Sequence, residues 1–404
     1  MTAQQPAHRP QLAGSQIVCL GFNDWDAEVW TNQHHLMARL AVSNRVLFVE
    51  SLGLRRPTLA GRDVRRMGRR LARGLMGPNH VDLVDYSGSL DVLSPLVLPA
   101  HSSRVSQRAN ARLLPWLVGR AAASLGFAEP LLWAYVPQAE LLLERLAPRL
   151  VVYHCVDDIA AHPRIDAAAF RAAEARFATQ ADVVLASSVP LTERMRDFNS
   201  TVYYMPNVAD VELFASAIDG GPVDDAVAAL PEPRIVFTGA IAATKLDIQL
   251  LVELARLRPA WSIVLVGPVG LGDPSTDTSA LMRSPNVHLL GRRRHAELPA
   301  VLRGAQAAVI PYLLNQLTAS IFPMKVYEYL AAGLPVVATP LPSLLGVDTI
   351  TFATDAPEMV VRLEQAMSND GPGARAARSR LAYGHNWDAR LREIAEVIER
   401  HRAR

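Results

Sequence analysis

The sequence predicts an α/β protein with two doubly wound, parallel-sheet domains in succession. Three observations predict it. Short runs rich in Val, Ile and Leu alternate with longer amphipathic stretches, most of the runs are apolar throughout, and the pattern restarts near mid-chain. A strand covered on both faces is apolar at every position, which is how parallel strands are buried. Strand–helix–strand repetition then gives an open, doubly wound sheet. At 404 residues the chain is longer than one hydrophobic core usually holds.

In the first half the strand candidates are QIVCLGF, RVLFVE, LLWAY, LVVYHCV, DVVLASS and TVYYMPN. Helical runs such as PQAELLLERLA and AAAFRAAEARFATQA lie between them. After Pro206-Asn207 comes DGGPVDDAVAALPEP, whose Gly, Pro and Asp read as linker or surface loop. RIVFTGA, WSIVLVG, NVHLLG, AAVIPY and PVVAT then form the second set of strands. The expected division is a first domain over residues 1–207 and a second over 208–384. Residues 385–404 form a last helix with Leu391, Ile394, Val397 and Ile398 on one face. That face must be covered, and the helix is expected to pack back on the first domain.

Half of the residues are apolar and a fifth are charged, the balance of a globular protein. A net charge of +2 is too small for a nucleic-acid binder, so none is expected as a partner. Cys19 and Cys155 sit in apolar strand-like runs and read as buried, reduced thiols. The leading MTAQQPAHRPQLAGS lacks the apolar core of a signal peptide, and no run of about 18 apolar residues occurs. A cytoplasmic protein is expected. One stretch differs: Arg62, Arg65, Arg66, Arg69, Arg70 and Arg73 recur at helical spacing, with Val64, Met67, Leu71 and Leu75 on another face. It reads as a solvated basic helix or as a helix lying on an anionic membrane surface, which would give weak, salt-sensitive association at the inner face.

Open sheets of this kind bind ligands beyond the carboxyl ends of their strands. The most informative segment there is SIFPMKVYEYLAAGLPVVAT, from Ser320 to Thr339, which reads as loop, helix, turn and strand. Lys325 and Glu328 stand three apart on one helix face, near the helix start. A lysine there conflicts with the helix dipole, unless a diphosphate binds between ammonium and amide groups. Glu328 could then accept hydrogen bonds from two ribose hydroxyls. The plain alternative is a surface pair.

This segment resembles the donor site of GT-B glycosyltransferases of the retaining family 4 type, the glycosyl transferases of group 1. Glu328 matches the second of that family's paired glutamates, and GLPVVAT matches its Gly-x-Pro-Val-Val turn. Ser320 stands where the first glutamate would be, a departure that bears on recognition of the donor sugar. The resemblance implies a GT-B fold, two Rossmann-like domains facing across a cleft. It implies a nucleotide-diphosphate sugar of the UDP, GDP or TDP type as co-substrate, and no cofactor or metal. The acceptor is then a saccharide or glycolipid, in cell-envelope polysaccharide assembly.

By the same resemblance Ser320, Ile321, Phe322 and Pro323 form the donor loop, and Lys325 contacts phosphate. Gly239, in FTGAIAATKLD, would let backbone approach the diphosphate, with Lys245 as the loop's basic residue; the family's usual arginine has no match. Gly267 and Pro268 would line the nucleotide site, and Gly291 and Arg292 would lie by the base. In the first domain Trp25, Trp30 and His34 are expected to line an acceptor pocket, since flat aromatic faces suit sugars and lipids. Asp24-Trp25-Asp26 is literally a D-x-D, the metal motif of the other major glycosyltransferase fold, and is discounted in this context. His154, Asp157 and Asp158 follow a strand where the family has polar residues that touch the transferred sugar; paired carboxylates could also serve as acid and base, or simply cap a helix. Glu174 resembles a recurrent family feature.

The mechanism implied is transfer with retention, the leaving phosphate taking the acceptor proton while Lys245 and Lys325 stabilise its charge. Two other readings stay open: a nucleotide-sugar epimerase of similar fold, and a non-catalytic GT-B-like binding protein.

Overall fold

The computed structural model describes residues 12–27, 29–52, 77–95 and 104–402. The chain divides into two compact units: residues 1–205 with 391–404, and residues 206–390.

Unit 1 is built on an eight-stranded sheet. Its strands are β1 (Gln16–Leu20), β2 (Arg45–Val49), β3 (Asn79–Leu83), β4 (Gly88–Leu93), β5 (Leu131–Ala134), β6 (Leu150–Cys155), β7 (Val183–Ala186) and β8 (Val202–Tyr204). The order is β3-β4-β2-β1-β5-β6-β7-β8, parallel except for the β3–β4 hairpin. β5, β6 and β7 are buried at every position, the pattern that their continuous apolar runs require. Leu114, Val118, Ala121 and Ala122, from the Arg104–Ser124 helix, cover one face. The hairpin was not among the expected strands: Asn79, His80 and Asp82 are exposed, so β3 carries no apolar run. PQAELLLERLA, read as one helix, is a 3-10 turn over Pro137–Leu142 followed by a short helix over Leu143–Leu146.

Unit 2 is built on a six-stranded parallel sheet of order β11-β10-β9-β12-β13-β14. The strands are β9 (Arg234–Thr238), β10 (Ser262–Val266), β11 (Val287–Gly291), β12 (Ala307–Ile310), β13 (Val336–Ala338) and β14 (Thr351–Phe352). The Ile248–Leu257 helix starts where the Asp247 carboxylate accepts from the Leu250 amide. The strand order reverses at β1 in unit 1 and at β9 in unit 2, so the crevice beyond the carboxyl end of each is where ligands bind in such sheets.

The last helix runs over Trp387–Arg402. Its residues from Leu391 onward belong to unit 1, where Tyr203 Oη lies 3.1 Å from His401 Nε2 and Arg400 lies over the Tyr203 ring. Cys19 and Cys155 are buried free thiols.

Candidate functional site

Two glycines meet beyond the sheet of unit 2. The chain leaves β9 through Gly239 and β10 through Gly267, with φ of +131° and +153°. Only glycine adopts such angles without strain. A Cβ on Gly267 would lie 2.0 Å from the Gly239 carbonyl oxygen, so this contact excludes any side chain. Gly267 therefore answers first to the packing of one turn on the other. The two following loops are laced together. Ile241 donates its amide to the Pro268 carbonyl at 2.9 Å, Ala243 to Thr276 Oγ1 at 3.0 Å, and Thr244 to Asp273 Oδ2 at 3.2 Å. Lys245 is pinned on the other side: its carbonyl accepts from Leu313 at 2.8 Å, and Leu246 bridges to Tyr312. The Lys245 side chain is half-buried and has no ion pair among the described residues.

Lys325 enters this crevice from the opposite side. Its ammonium donates to Tyr312 Oη at 2.8 Å. It lies 5.3 Å from the centroid of Phe237 and 5.1 Å from that of Tyr312, within cation–π range of both. A Cβ placed on Gly239 would come within 3.4 Å of Lys325 Nζ. So the cation hangs over the bare backbone turn after β9, held by a hydroxyl and two rings, with no carboxylate in ion-pair contact among the described residues. Tyr329 ties the same helix to the strand end: its hydroxyl accepts from the Thr238 amide at 2.7 Å.

Glu328 is half-buried beside Lys325, and its carboxylate accepts no hydrogen bond from a described residue. Burial pushes its carboxyl up to about 7; the Lys325 charge pulls against this and Asp210 adds to it. The helix itself is shorter than expected, Lys325–Ala331. The amides of Val326, Tyr327 and Glu328 are satisfied by the carbonyls of Pro323 and Met324. This corrects the picture of a free helix start: of that turn, only the Met324 and Lys325 amides lack a partner among the described residues. The loop before it is packed tightly. Ser320, Ile321 and Phe322 are buried, Asn207 Nδ2 donates to the Phe322 carbonyl at 2.9 Å, and the Ser343 hydroxyl donates to that of Ile321. Pro323 is buried as well, so this loop can offer a ligand mainly backbone. Gly291 and Arg292 are exposed at the end of edge strand β11. The next two arginines turn elsewhere, Arg293 to Asp224 and Arg294 to Glu297.

Unit 1 treats its strand-end residues differently. His34 is fully buried. The Thr31 amide donates to Nδ1 at 3.1 Å, so Nε2 carries the proton and donates to the Asp24 carbonyl at 2.9 Å. Burial lowers its pKa to about 4 against those bonds, leaving a neutral ring that pins the 21–31 loop. The expectation that His34 lines a pocket is corrected: both ring nitrogens are spent on backbone. His154 is 1% exposed and stacked 5.0 Å from Tyr135, inside the sheet layer, so it does not face a ligand in this conformation either. Asp158 is also corrected as an acid or base. Its carboxylate meets Arg171 at 2.6 Å and Arg194 at 3.2 Å. The same two arginines hold the buried Glu174, which also accepts from Tyr153 Oη at 2.7 Å. Asp157 is half-buried just before. Trp25 is 8% exposed and packs edge-on against Phe48, its amide donating to Glu50. Trp30 keeps part of its surface and stacks on Tyr86.

With the geometry in hand, likeness to known proteins is informative. Residues 232–369 match the family described as Glycosyl transferases group 1. These residues contain β9, Lys245, the Lys325–Ala331 helix and the Gly333 turn. A protein of Bacillus subtilis (strain 168), described as a teichuronic acid biosynthesis glycosyltransferase, TuaH, is 27% identical over 311 residues, 72% of this chain and 77% of that one. The chain is a glycosyltransferase of the GT-B type. The fold agrees. A sucrose-phosphate synthase from Thermosynechococcus elongatus superimposes with a TM-score of 0.66 at 16% identity, over 96% of this chain and 99% of that one. HepE from Anabaena, in complex with UDP and glucose, gives 0.64 at 15% identity, over 95% and 99%.

Two residues of the transferase escaped the sequence reading. Tyr312 and Phe237 hold Lys325, and both belong to recognised strand segments, AAVIPY and RIVFTGA. Applying the strand-end rule to the residue just past β12 would have found Tyr312. Asp24 of the D-x-D is buried and Asp26 exposed. Among the described residues no group of three or more His, Cys, Asp or Glu is arranged to hold a metal ion. Arg62 to Arg73 lie outside the described residues.

Proposed function

We propose that unit 2 binds a nucleoside diphosphate sugar with its diphosphate against Lys325 and the Gly239 turn. In this reading Lys245 meets the same charge from the loop side and Glu328 takes the ribose hydroxyls. One observation carries it: a half-buried ammonium is held over bare backbone by neutral groups alone, with no ion-pair partner among the described residues. Such a cation is preorganised for an anion, and gives most when charge grows on it. Breaking the sugar–phosphate bond puts that charge on the leaving diphosphate. Fixed ammonium groups and the Met324 and Lys325 amides can stabilise it without a metal, and the leaving phosphate can take the acceptor proton, which gives retention. No protein base is needed.

The acceptor we propose is a saccharide or glycolipid of a cell-envelope polysaccharide. The likeness to the teichuronic acid transferase supports it, as do Trp30 and Tyr86, whose rings stack at 6.2 Å. A cytoplasmic site of action goes with this reading, with the Arg62–Arg73 stretch giving weak, salt-sensitive contact at the inner membrane face. The test is donor turnover with UDP, GDP and TDP sugars. Lys325→Ala and Glu328→Ala should abolish transfer in folded protein, and excess EDTA should leave the wild type active. Full activity of both variants would remove the site, and strict dependence on a divalent ion would remove the metal-free mechanism.

A further inference from the structure

The Arg104–Ser124 helix has two unlike faces. Leu114, Val118, Ala121 and Ala122 point into the core of unit 1. Opposite them Arg108, Arg112, Trp116 and Arg120 follow at four-residue steps, all exposed. Trp116 is 51% exposed, and Val105 at the head of the same stripe 73%. Four-residue steps keep side chains on one line, here about 18 Å long.

The 21-residue helix contains no acidic residue. Among the described residues no carboxylate pairs with the three arginines. Arg120 instead lies 5.6 Å from the Trp116 ring centroid. Exposed Arg145 extends the basic surface beside Gly119; exposed Glu144 shares its turn, so the net positive charge comes from the long helix. A merely solvated helix face has no use for an exposed tryptophan set between arginines that pair with no described carboxylate, or for an exposed valine at the head of their stripe. An anionic lipid surface uses both: indole sits at headgroup depth, and guanidinium groups reach the phosphates while their stems lie on apolar surface. No helix among the described residues is long and apolar enough to cross a membrane, so this one would lie along the surface.

We propose that the Arg108–Arg112–Trp116–Arg120 face docks the transferase on an anionic lipid surface. The inference shares its partner with the contact proposed for Arg62–Arg73 and assigns it to different residues. It does not depend on the donor site.

Flotation of the full chain with phosphatidylglycerol–phosphatidylcholine vesicles at low salt tests it, with pure phosphatidylcholine vesicles as control. The wild type should float with the anionic vesicles alone and be released at high salt. Exchanging Arg108, Arg112 and Arg120 for Gln should weaken partitioning about a hundredfold, roughly fivefold per charge, with the circular dichroism spectrum and donor turnover unchanged. Trp116→Ala should weaken it at low salt as well, with all three arginines in place. Undiminished binding of the triple variant, with binding lost when Arg62 to Arg73 are exchanged for Gln, would move the contact to that stretch and overturn the proposal. So would a wild type that retains on heparin yet ignores anionic vesicles.

Discussion

The strand ends of the two units handle charge in opposite ways. In unit 2 the Lys325 ammonium is held by Tyr312 and Phe237 over the Gly239 turn and meets no carboxylate in an ion pair among the described residues. In unit 1 the charges are closed on one another: Asp158 and Glu174 share Arg171 and Arg194. His154 and His34 are likewise turned inward, His34 neutral and bonded to backbone on both sides. A charged group with no ion-pair partner among the described residues points to a charged ligand. A charged group already paired speaks for stability, and among the described residues the open kind of cation beyond a strand end is found in unit 2.

Four perturbations can break or sharpen that contrast. The largest effect should come from Glu174→Ala. It leaves two arginines in a buried network with one carboxylate, which should destabilise unit 1 by about 3–5 kcal/mol while nucleotide affinity is untouched. Urea unfolding measures the first and calorimetry the second; a stable variant with weakened nucleotide binding would reverse the assignment of roles.

His34 predicts a pH dependence of similar size. Its pKa is about 4 folded and near 6.5 unfolded, so the unfolded chain binds the proton first. The stability it contributes is fully present above about pH 6.5 and is lost as pH falls toward 4, about 3 kcal/mol in all. His34→Gln should flatten the stability–pH curve in that window, and an unchanged slope would show that the ring is not the group titrating.

Gly267→Ala should cost about 1–3 kcal/mol through its backbone angle alone, with the Gly239 carbonyl contact adding to it. The loss should register as a lowered melting temperature together with weakened nucleotide binding, because the Gly239 turn must shift. A variant that melts like the wild type would mean that the two turns do not abut. The smallest effect should come from Tyr312→Phe, which removes one hydroxyl from Lys325 and leaves the ring. About 1 kcal/mol, or roughly fivefold in nucleotide affinity, is expected with the melting temperature held.

The sheets were legible because parallel strands buried on both faces leave continuous apolar runs, as in LVVYHC, where all six residues are buried. The β3–β4 hairpin was not, because a half-exposed edge pair such as NHVDL imposes no such pattern. In unit 2, Lys325 stood out because a helix-start lysine runs against the helix dipole, whereas Gly239 and Glu328 were picked out through the resemblance of their segments to the family's donor site. Tyr312 could not be read as their partner: nothing in AAVIPY shows that its hydroxyl meets Lys325 thirteen residues on. In unit 1, His34, His154 and Asp158 have the right chemistry for a site, and sequence does not reveal that backbone, rings and arginines already occupy them.

Isothermal titration of the wild type and Lys325→Ala with UDP, GDP and TDP tests the central claim most directly. The account predicts that at least one nucleotide binds the wild type, and that the alanine variant loses that binding by about a hundredfold or more while its melting temperature holds. Equal affinity in the two proteins, or no binding of any of the three to the wild type, would contradict it.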